Sequence, residues 1–182
     1  GRARSATCSP RACPKGRNSR PALNPMVVFF EWLQGSALSV GLRASSWAYP
    51  LVNLLHILGI AMLVGAILIL DWRLLRQRKQ PEVSVLATVL LPSARGGFAL
   101  AVAAGLLLFI ARPLDYVFNP LFQFKLGFIV LALLNIVLLH RSESWGNAVS
   151  HNRTDGRVRW ACGVSLVCWL VALALGRLIG YR

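Results

Sequence analysis

Four apolar runs decide what this chain can become. Residues 47–70, 96–111, 121–140 and 160–179 carry no formal charge except Lys125 and Arg177. At 1.5 Å per residue such runs match a hydrocarbon layer ~30 Å thick. A backbone at that depth has no water to bond, so it must satisfy its own polar groups, and only helices do so segment by segment. The run 96–111 is short; the apolar stretch 83–91 before it predicts a helix that starts earlier and kinks at Pro92. A hydrophobic fraction of 56% and a mean hydropathy of +0.59 exclude an ordinary soluble domain. The formal net charge of +14 alone would suggest a nucleic-acid partner. The basic residues, however, lie in the N-terminal segment and between the apolar runs, not along one amphipathic face. The expected partner is the lipid bilayer, with no nucleic acid. The fold class is all-α: an integral membrane four-helix bundle, up-down-up-down, preceded by an amphipathic interfacial helix.

That interfacial helix is expected over 27–42, where Phe29, Phe30, Trp32 and Leu33 mix with Glu31, Gln34, Ser36 and Ser39. The segment is too short and polar to cross, so it should lie in the headgroup layer with Trp32 at the boundary. Residues 1–25 combine scattered arginines with Ser, Pro and Gly and contain no acid, which predicts a disordered basic tail. It reads as an upstream, non-native extension, with Met26 as the natural start and 26–182 as one membrane domain. Basic residues concentrate in 71–95 and 141–159, which places those loops in the cytoplasm and both chain ends outside. With Gly59 and Gly65 in the first span, and Ser165, Cys168, Ala172 and Gly176 along the fourth, small residues offer faces for close helix approach.

Within the first span, Tyr49, Asn53 and His56 recur at helical spacing, and His56 lies about 12 Å past the start of the run. Polar groups at that depth turn toward the bundle. His56 is therefore either a structural histidine, hydrogen-bonded to protein, or an axial ligand to haem iron. Lys125, about one turn into the third span, either snorkels to the surface or faces the bundle and pairs with an anion. Arg112 and Arg177 fall at the same level and could hold carboxylates such as haem propionates, with interfacial anchoring as the alternative. His140 closes the third span at the other membrane face, too far away to share an iron with His56. It is expected to cap its helix. No phosphate-binding loop, HExxH zinc signature, nucleophile elbow or paired intramembrane carboxylates are present.

The segments EWLQGSALSVGLRAS (31–45), YPLVNLLHILGIAMLVGAILILDWRLL (49–75), NPLFQFKLGFIVLALLNIVLLH (119–140) and GRLIGY (176–181) resemble a bacterial family of four-helix inner-membrane proteins. Its signature is an HxxG followed by DxRLL, and no activity is assigned to it. A weaker likeness links His56, the Lys125–Leu126 pair and His140 to the copper-resistance D and HemJ-type haem membrane proteins. The Lys-to-His spacing on the third helix is longer here than in the HemJ type. The aromatics that flank the first-helix histidine there are absent. The likeness implies haem b at His56 with Lys125 nearby. The expected function is a b-type haem redox protein with its site near the outer face, exchanging electrons with quinone or another membrane redox protein. The alternative is a non-enzymatic membrane subunit or scaffold that docks a partner through small-residue faces. Whether the chain is an enzyme is left open by these residues.

Overall fold

The computed structural model describes residues 24–76, 82–151 and 154–180. The basic segment 1–23 lies outside the described residues. All regular structure among the described residues is helical, in the order α1 Pro25–Gln34, α2 Ala37–Ala44, α3 Ala48–Arg76, α4 Val83–Ala111, α5 Pro113–Val117, α6 Pro120–His140, α7 Glu143–His151 and α8 Gly156–Ile179. Helices α3, α4, α6 and α8 are long and apolar enough to cross a membrane. They alternate in direction. One end of the bundle carries Tyr49 and Tyr116 (the tyrosine end), and the other carries Arg73, Arg76, Arg141, Arg157 and Arg159 (the arginine end).

The segment expected as one interfacial helix is two. Ser36 adopts an extended conformation and its hydroxyl accepts from the Ser39 amide, so it caps a new helix and ends the old one. The Arg43 guanidinium turns back and donates to the Gln34 carbonyl at 2.7 Å, satisfying the last turn of α1. Phe29 and Trp32 stay exposed, as a headgroup-level helix requires. Ser39 is fully buried and donates to the Ala111 carbonyl, pinning α2 to the end of α4.

The spans are longer than the apolar runs. α3 and α4 have 29 residues each, about 44 Å by helical rise, so their arginine ends project beyond a ~30 Å hydrocarbon layer. α4 runs unbroken through Pro92. The projecting ends do not dangle. Leu70, Leu74, Val83, Ala148, Val158 and Cys162 form a buried cluster that joins α3, α4, α7 and α8. Arg76 lies over the Trp72 ring at 4.4 Å, holding the cation at the membrane boundary.

The short connection between α4 and α6 would make them close antiparallel neighbours. The tight backbone contacts are instead α3 with α4, α6 with α8, and α3 with α8. The reason is the connection itself: α5 and its flanking turns bridge the gap, and the large rings of Phe109 and Phe122, stacked at 5.9 Å, hold the two helices apart. The α3–α4 contact is set by two glycines. A Cβ on Gly59 would lie 2.5 Å from the Ala101 nitrogen, and one on Gly97 would lie 2.6 Å from the Leu63 nitrogen. Backbone therefore packs on backbone, the geometry that Cα–H···O contacts favour in membranes. Gly65, expected to share that role, faces open space. On α8, Ser165, Cys168 and Ala172 are buried within the bundle, so that small-residue face is occupied by the protein's own helices.

Candidate functional site

Four helices meet one to three turns below the tyrosine end. His56 of α3 points at α4, where its Nδ1 lies 2.8 Å from the Ala101 carbonyl oxygen. Its ring rests on Gly105: a Cβ there would be 2.9 Å from Cε1 and 3.2 Å from Nδ1. The carbonyl can only accept. The bond thus fixes the neutral tautomer with hydrogen on Nδ1, and leaves the Nε2 lone pair uncommitted. α4 supplies a carbonyl and a missing side chain, and together they set the ring's orientation.

Lys125 of α6 points inward rather than snorkelling. Its stem and ammonium lie over Gly176 of α8, where a Cβ would meet Nζ at 3.1 Å. The ammonium is near enough to the His56 ring for the two to interact electrostatically. Among the described residues no carboxylate or hydrogen-bond acceptor partners it. A half-buried cation without a counter-charge favours an anion in its neighbourhood. Removing it should stabilise the ligand-free protein. Lys125→Met, close in length and apolar, is expected to raise stability by about 1–3 kcal/mol, read as a higher midpoint of thermal unfolding in detergent.

An aromatic layer roofs the site. Phe30 of α1 meets Phe109 of α4 edge-on at 6.2 Å; Phe109 stacks on Phe122 of α6; Phe122 contacts Tyr116 of α5 at 5.3 Å. Tyr116 shares a hydrogen bond with Tyr49, and burial, reinforced by that bond, keeps its phenol above its ordinary pKa. By helical rise Phe109 is about 6 Å above Gly105, and Phe122 about 4.5 Å above Lys125. The layer therefore separates the His56–Lys125 pair from the headgroup region.

The residues singled out from the sequence divide clearly. His56 and Lys125 come together, and Tyr49 joins the roof through Tyr116. Asn53 is exposed on the outside of α3. Its 300° offset from His56 at about 100° per residue puts it on the flank of the face that Tyr49 and His56 share. Arg112 is exposed at the α4–α5 junction, and Arg177 is exposed near the end of α8. Arg177 lies at the level of the site and Arg112 about 10 Å above Gly105, beyond the aromatic roof, and neither is buried in the site. His140 sits at the arginine end, where its Nδ1 bonds the Ile136 carbonyl at 2.9 Å and its ring packs on Trp145 at 4.4 Å. By helical rise it is about 22 Å from the level of Lys125. Ala101, Gly105, Phe109 and Phe122 were not singled out from the sequence, and Gly176 only as a small residue for helix approach. Their roles depend on which helix faces which, and nothing local marks them. Among the described residues no group of three or more His, Cys, Asp or Glu side chains could hold a metal ion.

No protein-family model, curated protein or solved structure matches this chain.

Proposed function

We propose that this chain is a b-type haem-binding redox protein of the bacterial inner membrane. The site lies near the outer face, with His56 as iron ligand and Lys125 as the charge that receives a propionate. One observation carries the reading: the 2.8 Å contact between His56 Nδ1 and the Ala101 carbonyl. A metal-ligating histidine characteristically donates its second ring nitrogen to a carbonyl or carboxylate, which fixes the tautomer and aims the other lone pair. Haem, when bound, supplies one-electron chemistry between ferric and ferrous iron. The protein's part is to present Nε2 and to set an ammonium against a carboxylate in a low-dielectric setting. The aromatic roof keeps water out, and that favours a defined potential. Arg112 and Arg177 are placed to hold a second carboxylate at the boundary. Asn53 and Tyr49 act at most through the surface and the roof.

The described arginines at the far end favour a cytoplasmic arginine end. The haem then sits toward the outer face, where electrons pass between quinone and a membrane or outer-side redox partner. The likeness of His56, Lys125 and His140 to the copper-resistance D and HemJ types supports the same reading. A scaffold role is favoured by a different observation, the close seating of the His56 ring on Gly105, which is how a purely structural histidine also packs. The small-residue face of α8 gives that role no support, being buried inside the bundle.

An absorption spectrum separates the two. Protein purified in detergent after expression with added haem is expected to show a Soret band, with sharp bands on dithionite reduction. His56→Ala is expected to abolish them while retaining its helical circular dichroism. A colourless wild-type protein would leave the scaffold role as the account.

A further inference from the structure

A groove of about 720 Å³ runs along α8 from the arginine end toward the middle of the bundle, ending at Cys168, about 12 Å by helical rise short of Gly176. Its floor is α8 itself, where a Cβ on Gly163 would meet nothing within 4 Å. Leu75 of α3 and Phe128 and Leu131 of α6 form its walls. Arg159 and Trp160 stand at its mouth, both exposed, Trp160 by 79%. From Gly156 to Cys168 the groove follows α8 for about 18 Å by helical rise. That is close to one leaflet's share of a ~30 Å hydrocarbon layer. The long axis, the apolar walls and the depth are those of a single acyl chain. The mouth is not apolar. No side-chain partner of Arg159 is found among the described residues, and it projects at the headgroup level beside a tryptophan, the residue that anchors at that boundary. Arg157, two residues earlier, faces an adjoining smaller cleft with Asn135 and Ser142. The first turn of α8 adds amide donors and the positive end of its dipole, with Asp155 as the one acid beside it.

We infer that this groove is a binding site for an anionic phospholipid: one acyl chain lies on Gly163 between α3 and α6, and the headgroup phosphate is held by Arg159. An uncharged or zwitterionic lipid would fill the groove without using the cation. A second copy of this chain would have to bring an acid to Arg159 and an apolar side chain into the groove at the same time, whereas a phospholipid carries its phosphate and acyl chain in one molecule. The inference does not depend on haem.

The test is native mass spectrometry of the full chain in detergent, titrated separately with dioleoyl phosphatidylglycerol and dioleoyl phosphatidylcholine. The wild type is expected to retain phosphatidylglycerol in preference to phosphatidylcholine. Arg159→Ala is expected to weaken retention about fivefold, the loss for one cation near a charged surface, and Arg159→Lys to restore most of it. Gly163→Phe adds a ring from a position where a Cβ meets nothing within 4 Å, so it fills the groove, and is expected to displace both lipids while the circular dichroism stays unchanged. Equal retention of the two lipids would overturn the inference, as would Arg159→Ala and Gly163→Phe retaining phosphatidylglycerol like the wild type. A wild-type dimer that Gly163→Phe dissociates would assign the groove to a second copy instead.

Discussion

Gly59→Ala is expected to be among the most damaging single-methyl changes in this protein. The added carbon would sit 2.5 Å from the Ala101 nitrogen, 2.8 Å from the Gly97 oxygen and 2.9 Å from the Ala101 Cα. All three are backbone atoms, so no rotamer change relieves the clash. α3 must move off α4 along a contact that spans both helices. Overpacking a close-packed contact typically costs 1–3 kcal/mol, and here the neighbour is rigid, so about 3 kcal/mol or more is expected. That far exceeds the ~1 kcal/mol by which alanine outranks glycine in a helix. Gly97→Ala should behave alike, because its Cβ would strike the Leu63 nitrogen at 2.6 Å. Gly65→Ala and Gly127→Ala are the controls. A Cβ at either meets nothing within 4 Å, so each should be neutral or stabilising by up to ~1 kcal/mol. Thermal unfolding in detergent, followed by helical circular dichroism, gives the ranking. Equal midpoints for Gly59→Ala and Gly65→Ala would mean that the two helices are not in backbone contact at this crossing.

The membrane spans were legible because the bilayer imposes a one-dimensional rule: an apolar run of sufficient length must be a helix. The same rule misplaced their ends. It marks where hydrocarbon stops, whereas α3 and α4 continue to Arg76 and from Val83 because α7 and the start of α8 pack around them. Asp71 shows the consequence. The first residue past the apolar run 47–70, it is 7% exposed, with the Ser165 and Cys162 side chains hydrogen-bonding to its carboxyl and one oxygen left unpartnered. Depth along a helix could be counted in residues, so His56 was placed about 12 Å and Lys125 about one turn into their spans from the sequence alone. Direction around the helix could not. Tyr49 and His56, seven residues apart, differ by only about 20° and share the buried face, while Asn53 lies on its flank. Which helix stands opposite is a tertiary fact. It made Gly105 and Gly176 part of the site and passed over Gly65, although all three look the same in the sequence.

Gly105→Ala should distinguish a ligating His56 from a merely packed one. The new methyl would lie 2.9 Å from Cε1 and 3.2 Å from Nδ1, so the imidazole must swing away from α4. Its bond to the Ala101 carbonyl then breaks. The carbonyl is less exposed to that loss than the ring, because it still accepts from the amide one turn on within α4. A side-chain contact yields where a backbone contact cannot, so the stability cost should be smaller than for Gly59→Ala, about 1–3 kcal/mol for one lost buried hydrogen bond. The effect on ligation should be much larger. Without the carbonyl, the ring loses both its fixed tautomer and its aim, and losing the hydrogen bond that orients a ligating histidine costs 10–100-fold in metal affinity. Haem retention per folded protein, taken from the reduced spectrum divided by the circular dichroism signal, is therefore expected to fall at least tenfold. Lys125→Met should lower it less, by about one charge-assisted hydrogen bond's worth, while leaving the reduced-state band positions unchanged. Should Gly105→Ala lower only the unfolding midpoint and leave the bound haem and its spectrum intact, His56 would not be the ligand. The Ala101 bond would then be a packing device that holds α3 against α4.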